Sequence, residues 1–489
     1  MAKKTCMNRD GMDHISNLPD DVLVQILSLV STEQAYTTSF LSKRWKSLWT
    51  LIPTLDFDYA SFCKTFSVVF EDQRKVRWLQ GFLKFVNCVF AHHQVEHLQM
   101  LRFACNIVLF KDYLSEVRRV VGLVKRRNCL TLDLQFSDPA RVLYPAYRGM
   151  FTLTPNMIEM LTSVTHLKLT NCKLTVSKYK SFLSVKIVKL TVVALLKDSV
   201  HDLVSKCPCL EELHLVHCSL PSSSFELNSP ESNLKCLVLQ NCISSTSYNR
   251  TFSHVSINIP TLSRLKYDVT PGYPSINNAE NLIEAEINMF FNQRYEHEYK
   301  LLCKLLMDLR NAKVLTLRVR YLEVLDTNGG RSLLNPLCNL KHLQIELWRL
   351  KIELPSLMCL LRNSPCLESL SINFGVYVDA KDMIPLLYND DEVTILEPLS
   401  LPSDCAIHLV KIEIKNFNGL KVEMKFVEIM LQSSLCLKEM VIFIRSRYRL
   451  LKQRIGKEHH EVLQKKKAAA IENILACTCA SPDAKILIK

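Results

Sequence analysis

Three short stretches, VTHLKLTNC (164–172), LEELHLVHC (210–218) and LKCLVLQNC (234–242), share one frame, L-x-L-x-x-C. In each, leucines alternate with other residues and a cysteine follows the second leucine by three positions: Leu169 to Cys172, Leu215 to Cys218, Leu239 to Cys242. Such alternation describes a strand with one buried face. The anchors Leu167, Leu190, Leu213 and Leu237 advance by 23, 23 and 24 residues. A strand that returns at this period cannot bury its apolar face alone and must stack on copies of itself. The frame therefore predicts a solenoid, one strand plus a return segment per coil.

The period is that of leucine-rich repeats. Later coils are looser: AKVLTLRV (312–319), LKHLQIEL (340–347) and LESLSINF (367–374), with insertions such as TSYNRTF and LDTNGGRS between them. PCLEEL (208–213) and PCLESL (365–370) enter their strands in nearly the same words. The alternate strand residues should face a concave surface. That set is His166, Lys168, Thr170, Glu212, His214, Val216, Val314, Thr316, Arg318, His342, Gln344 and Glu346. It is mixed and polar, which suits a protein ligand better than a small apolar molecule, although each residue taken singly also fits a solvated face. The repeat cysteines read as small buried hydrophobes. Cys207-x-Cys209 and Cys477-x-Cys479 lack the paired CxxC spacing of structural zinc.

Composition narrows the function classes. Only 10 of 489 residues are glycine, and there is no GxGxxG and no GxxxxGK[ST], which argues against dinucleotide and P-loop enzymes. No apolar run reaches the roughly eighteen residues of a membrane helix, and no apolar segment of a secretory signal follows the first residues. An intracellular chain, in nucleus or cytoplasm, is expected, with its 19 cysteines reduced. The net charge of +13 comes from 61 basic and 48 acidic residues, concentrated at Lys125–Arg127, at 445–457 and at Lys465–Lys467. These runs lack interleaved aromatics, so solvated helix faces explain them more simply than nucleic acid does. The stretch His93-Gln94-Val95-Glu96-His97 spells H-x-x-E-H. Metal-assisted hydrolysis would need it on a helix, yet it runs directly into the alternating LQMLRF. No catalytic residue, metal or cofactor is assigned.

The first fifty residues have another character. Pro19 opens a helix whose dipole suits Asp20 and Asp21. Val22, Leu23, Ile26, Leu27 and Val30 repeat at helical spacing. Ser31 and Gln34 form a capping box for a second helix carrying Ala35, Tyr36, Phe40 and Leu41. Ser42 can cap a third, holding Trp45, Leu48 and Trp49, two of only four tryptophans in the chain. About forty residues make a poor independent core. The expectation is that the tryptophans are presented to a partner as interface anchors; the alternative is that they close the local core.

The whole segment LPDDVLVQILSLVSTEQAYTTSFLSKRWKSLW resembles an F-box, in its LPD start and LSKRW-x-x-LW end. The resemblance implies docking onto the SKP-type adaptor of a cullin–RING ubiquitin ligase. The matching positions are Leu18, Pro19, Asp20, Leu23, Ile26, Leu27, Leu41, Ser42, Trp45 and Trp49. Ser31 and Tyr36 depart from the family pattern. Near the other end, Lys411–Ile414, Phe417, Gly419, Leu437-Lys438 and Ala480-Ser481-Pro482 resemble the FBD domain of plant F-box proteins. The expected architecture is α/β: an F-box (13–56), a helical linker with the first strand region (57–127), irregular repeats (128–400) and an FBD cap (401–489). A non-catalytic substrate-recognition subunit of an SCF-type ubiquitin ligase, holding an unidentified protein substrate, is the expected function. The alternatives are an F-box scaffold without ubiquitylation and a basic nucleic-acid-associated protein.

Overall fold

A computed structural model describes residues 15, 17–65, 75–106, 113–137, 150–175, 182–196, 199–269, 274–290, 296–320, 322, 337–347, 350–374, 407–444 and 457–489. They group into two compact units, Met1–Ser219 and Leu220–Lys489. The insertion LDTNGGRS, the acidic stretch 376–402 and all but the last residue of the basic stretch 445–457 lie outside the described residues. No helix among the described residues is long and apolar enough to cross a membrane.

The first unit opens with helices α1 (Asp20–Leu27), α2 (Thr32–Thr37) and α3 (Trp45–Leu48), followed by strand β1 (Thr54–Asp58). Helices α4 (Tyr59–Thr65) and α5 (Lys75–His92) lead to β2 (Met100–Asn106), and α6 (Tyr113–Arg126) leads to β3 (Thr131–Ser137). Parallel pairing continues from β1 through β2 and β3 to strands His166–Thr170, Ile187–Thr191 and Glu212–Val216. Alternate residues, Leu132 and Leu134, Leu167 and Leu169, Val188 and Leu190, Leu213 and Leu215, are fully buried. Their neighbours along each strand are mostly half-buried, as a one-faced strand requires.

Register corrects one detail of the repeat. Leu190 pairs with Leu169 and Leu215, not with Leu167 and Leu213, whose equivalent is Val188. The coil lengths are therefore unequal. The second return holds the helix Ser199–Lys206, which buries Val200, Leu203 and Val204 beneath the sheet.

The three framed coils share one geometry at the corner, where the residue before the cysteine takes a left-handed backbone: Asn171 at φ 58°, His217 at 52° and Asn241 at 50°. Asparagine tolerates this region better than most residues. The chain then enters a second, shorter strand, and Cys172–Leu174, Ala194–Leu195 and Ser219 continue a minor parallel sheet begun by Phe151–Leu153. Cys172, Cys218 and Cys242 are buried just past their corners, the role read for them from the frame. At the corner between the first two of these coils stands Val192, a β-branched residue at φ 55°.

The second unit repeats the scheme. Parallel strands run from Cys236–Gln240 and Arg264–Asp268 through Glu284–Phe290, Val314–Arg320, His342–Leu347 and Ser369–Phe374. Lys411–Phe417, Glu439–Ile444 and Lys485–Ile488 then add to the same sheet in register, Ser369 opposite Lys411 and Glu439 opposite Lys485. Helices Leu350–Arg362, Lys421–Ser433 and Lys457–Ala476 serve as the later returns. Strands beyond residue 407 thus extend the sheet of the strands before it.

The residues that carried the FBD resemblance have visible structural work. Gly419 sits at φ 74°, and a Cβ there would stand 2.9 Å from the Lys467 Cα of the Lys457–Ala476 helix. Next to it the fully buried Glu423 accepts from the backbone N–H of Asn418 at 2.8 Å and of Leu420 at 3.2 Å. Backbone conformation then predicts opposite outcomes at two sites. Val192→Asn should stabilise the chain by about 1 kcal/mol, because it relieves a left-handed β-branched residue. Gly419→Ala should destabilise it by more than about 1 kcal/mol. Denaturant melts of the two variants against wild type check both signs.

Candidate adaptor-binding face and repeat surface

Pro19 stands one position earlier than expected, as the cap before α1, and Asp20 and Asp21 fill the first turn. Arg44, just before α3, holds this start in place: it pairs with Asp20 at 2.7 Å and donates to the Leu18 carbonyl. The capping box at α2 is present as read, with Ser31 Oγ accepting from Gln34 N–H and Gln34 Oε1 accepting from Ser31 N–H. Ser42 does not cap α3, whose cap position is Arg44.

The tryptophans overturn an expectation. Trp45 is 7% exposed and Trp49 5%, so neither is presented to a partner. Trp49 donates its indole N–H to the Lys46 carbonyl at 3.0 Å and meets the Tyr36 ring edge-on at 5.3 Å. Tyr36 in turn meets Phe85 of α5 at 5.4 Å. The reason is physical: the small helical unit borrows the following helix and strand of its own chain to complete a core. Leu23 and Leu27 are buried there as well.

Of the ten residues assigned to adaptor binding, Pro19, Asp20, Ile26, Leu41 and Ser42 are exposed and Leu18 is half-buried, while Leu23, Leu27, Trp45 and Trp49 lie inside. The outward apolar surface adds Leu29, Val30, Phe40 and Leu51 to the assigned Ile26 and Leu41. Leu29 is 87% exposed, Phe40 76% and Leu41 69%, with Ile26, Val30 and Leu51 also outward. Leu29 and Val30 lie just past the end of α1 at Leu27, and Phe40, expected on α2, lies beyond that helix, which stops at Thr37.

Side chains join β1 to α2 and to the end of α1. Thr32 Oγ1 accepts from Asp56 N–H at 2.7 Å, Glu33 accepts from Asp58 N–H at 3.3 Å, and Thr54 Oγ1 donates to the Ser28 carbonyl at 3.1 Å. Glu33 is fully buried, and its second carboxylate oxygen has no hydrogen-bond partner. Burial pushes its pKa up to about 7, with Asp56 adding to the rise and hydrogen bonds opposing it.

The residues assigned to substrate capture lie on the half-buried face within each unit. In the first, Lys168 and His214 belong to a cross-strand row that reads Asp56, Arg102, Asp133, Lys168, Lys189, His214. His166, Thr170, Glu212 and Val216 flank that row, and Glu212 pairs with His214 at 3.3 Å. Arg102 binds Asp56 at 2.9 Å and Asp58 at 3.1 Å. In the second unit Val314, Thr316 and Arg318 lie beside His342, Gln344 and Glu346. Glu286 joins Lys266 (3.1 Å) to Arg318, which also reaches Glu346 at 3.7 Å. Burial works against the Glu286 carboxylate, yet hydrogen bonds from Arg318 and Lys266 hold its pKa below the ordinary value. Asp56, Arg102, Asp133, Lys266 and Glu286 were missed, although they occupy the same alternate positions in LDFD, LRF, LDL, LKY and AEI.

The H-x-x-E-H stretch is not helical, since α5 ends at His92. His93 is buried and its Nε2 bonds the Ile52 carbonyl at 2.8 Å. Burial, first, and the nearby Arg127 charge hold its pKa below the usual histidine value.

A small helical unit with outward apolar side chains, leading into parallel-stranded coils, defines an F-box protein with leucine-rich repeats. The F-box domain model matches residues 15–55. The family described as the At1g61320/AtMIF1 LRR domain matches residues 147–475, and the chain belongs to that family. Among Arabidopsis thaliana relatives, F-box/LRR-repeat protein At1g06630 is 29% identical over 76% of this chain and 87% of its own length. FBD-associated F-box protein At1g66310 is 26% identical over 88% of this chain and 90% of its own length. The repeat match runs past residue 400, into the stretch read as FBD.

Glu33 makes stability depend on pH. Its folded pKa lies above the unfolded value, so its contribution is full below about pH 4.5 and lost as pH rises through about 7. Glu33→Gln should remove up to about 3 kcal/mol of that decline. Urea melts of wild type and variant between pH 5 and pH 8 measure it; parallel pH dependences would disprove the assignment.

Proposed function

We propose that this chain is the substrate-recognition subunit of an SCF-type ubiquitin-protein ligase. Its F-box docks an SKP-type adaptor, which links it to cullin and RING subunits, and the half-buried face of the repeats holds a protein substrate. The observation that carries the reading is the placement of apolar surface. Among the described residues, seven of the fifteen exposed large hydrophobic side chains fall within residues 15–51. Scattered apolar residues are ordinary on a surface, but such a concentration on one small unit marks an interaction site. Leu18, Pro19, Asp20, Ile26, Leu41 and Ser42 contribute to it with Leu29, Val30 and Phe40. Leu23, Leu27, Trp45 and Trp49 support it from beneath. The segment 401–489, similar to FBD in its motif positions, is proposed to lengthen the substrate-binding sheet.

In this role the chain supplies no reacting group. It lowers the entropic cost of ubiquitin transfer by holding substrate near the ligase. The charge rows suit a polar protein surface, since their fixed pattern of paired acids and bases selects complementary partners more than it adds affinity.

Co-purification with an SKP-type adaptor and its cullin tests the reading. The double variant Phe40→Ala/Leu41→Ala should lose at least about 2 kcal/mol of adaptor affinity, roughly thirtyfold, with an unchanged melting temperature. Trp49→Ala should instead lose about 3–5 kcal/mol of fold stability. Adaptor without cullin would favour a scaffold that does not ubiquitylate. No adaptor at all would overturn the proposal.

A further inference from the structure

Between α5 and α6 of the first unit lies a cavity of about 620 Å³, walled also by the segment that follows each helix. Three arginines line it, Arg119, Arg126 and Arg127, against a single acidic residue, Glu96. Arg127 is fixed by its own backbone contacts, donating to the carbonyls of His93 and Val95 at 3.0 Å each. Arg119 pairs with Glu116 through one terminal nitrogen, but its Nε is buried without an acceptor. Arg126 is exposed at the end of α6 and has no ion-pair partner among the described residues. The H-x-x-E-H stretch divides here: His93 is buried in the fold, while Glu96 and His97 line the cavity.

We propose that this cavity binds a small molecule carrying a phosphate monoester and a hydroxyl-bearing body. The reading stands apart from the adaptor proposal and shares no residue with it. Charge sets the first part. Arginine forks match tetrahedral oxyanions, and charge-assisted hydrogen bonds are about twice as strong as neutral ones. Size sets the second, because 620 Å³ far exceeds a bare phosphate and falls in the range of small-molecule sites. Phe90 and Leu123 give the wall an apolar portion that covers the face of a ring. Asn87 sets the third part: its Oδ1 is buried without a donor. A phosphate dianion offers only acceptors, so a donor for Asn87 must come from a hydroxyl on the body. Asn87 lines the cavity, and the terminal torsion of an asparagine amide is broad, so rotation of the amide is how that oxygen would meet a ligand donor.

Isothermal titration of the full chain with glucose 6-phosphate, AMP, inorganic phosphate and glucose tests this, with the first two distinguishing sugar from nucleoside bodies. Binding of either ester is expected, weakening steeply with added salt, with no heat from glucose. Arg126→Ala should weaken it at least about tenfold, in line with one lost charge-assisted contact. Arg126 is exposed, so this variant tests the site even if Arg119→Gln fails to fold; circular dichroism melts verify both. No heat from any phosphate, or unchanged affinity in Arg126→Ala, would overturn the proposal. Inorganic phosphate binding as tightly as both esters would overturn the assigned body. Binding of a phosphoserine peptide in place of both esters would overturn the small-molecule assignment.

Discussion

Parallel pairing in strict register is the constraint from which the rest of this chain takes its form. A slip of one residue would turn Leu167, Leu169 and their counterparts outward and bring Lys168 and Lys189 inward. Side chains alone do not prevent that slip; the corners help. After the three strands of the L-x-L-x-x-C frame a left-handed residue, Asn171, His217 or Asn241, ends the pairing at a set place, and the cysteine that follows is buried. Coil length can then vary freely between corners. Returns range from the fifteen residues between Asp268 and Glu284 to one that holds the twenty-residue helix Lys457–Ala476, and the strands they connect stay in register.

The same register creates the chemistry of the open face. Residues that are far apart in sequence, such as Asp56, Arg102 and Asp133, become immediate neighbours because each occupies the same step of its strand. Opposite charges on adjacent strands support the sheet, and they leave a patterned polar surface. On that face Glu286 is held charged by two cationic neighbours against the cost of burial, whereas Glu33, buried on α2 without such neighbours, is driven toward its neutral form.

Much of this was legible in the sequence. The L-x-L-x-x-C frame located the strands, the buried cysteines and the alternating face, and LPDD with LSKRW located the helical unit. What was not legible depended on contacts between distant segments. Helical spacing identified Leu23 and Leu27 as apolar but could not tell them from Ile26, because the difference is made by packing against α3 and the Trp49–Leu51 turn that follows it. The tryptophans misled for the same reason, since Tyr36, which meets Trp49 edge-on, is itself backed by Phe85 from a later helix. Leu190 was given the wrong equivalent because two leucines two residues apart satisfy the same pattern. The cavity beside α6 left no sequence signal beyond Lys125–Arg127, where two of its three arginines end a helix and read as a solvated run.

The hydrogen bonds from β1 to Thr32 and Glu33 carry a consequence for how such chains diversify. Strand β1 stands at the end of its sheet, where N–H groups would otherwise be open to another chain. Helix α2 fills that place with side-chain acceptors, so the F-box unit also terminates the sheet, a function solenoids require at their ends. The two modules are therefore not interchangeable parts. An F-box exchanged between relatives by recombination must bring a matching seam with it, or leave an edge free to aggregate. Selection on the repeat's solubility thus constrains residues 32 and 33 independently of any selection for ligase assembly.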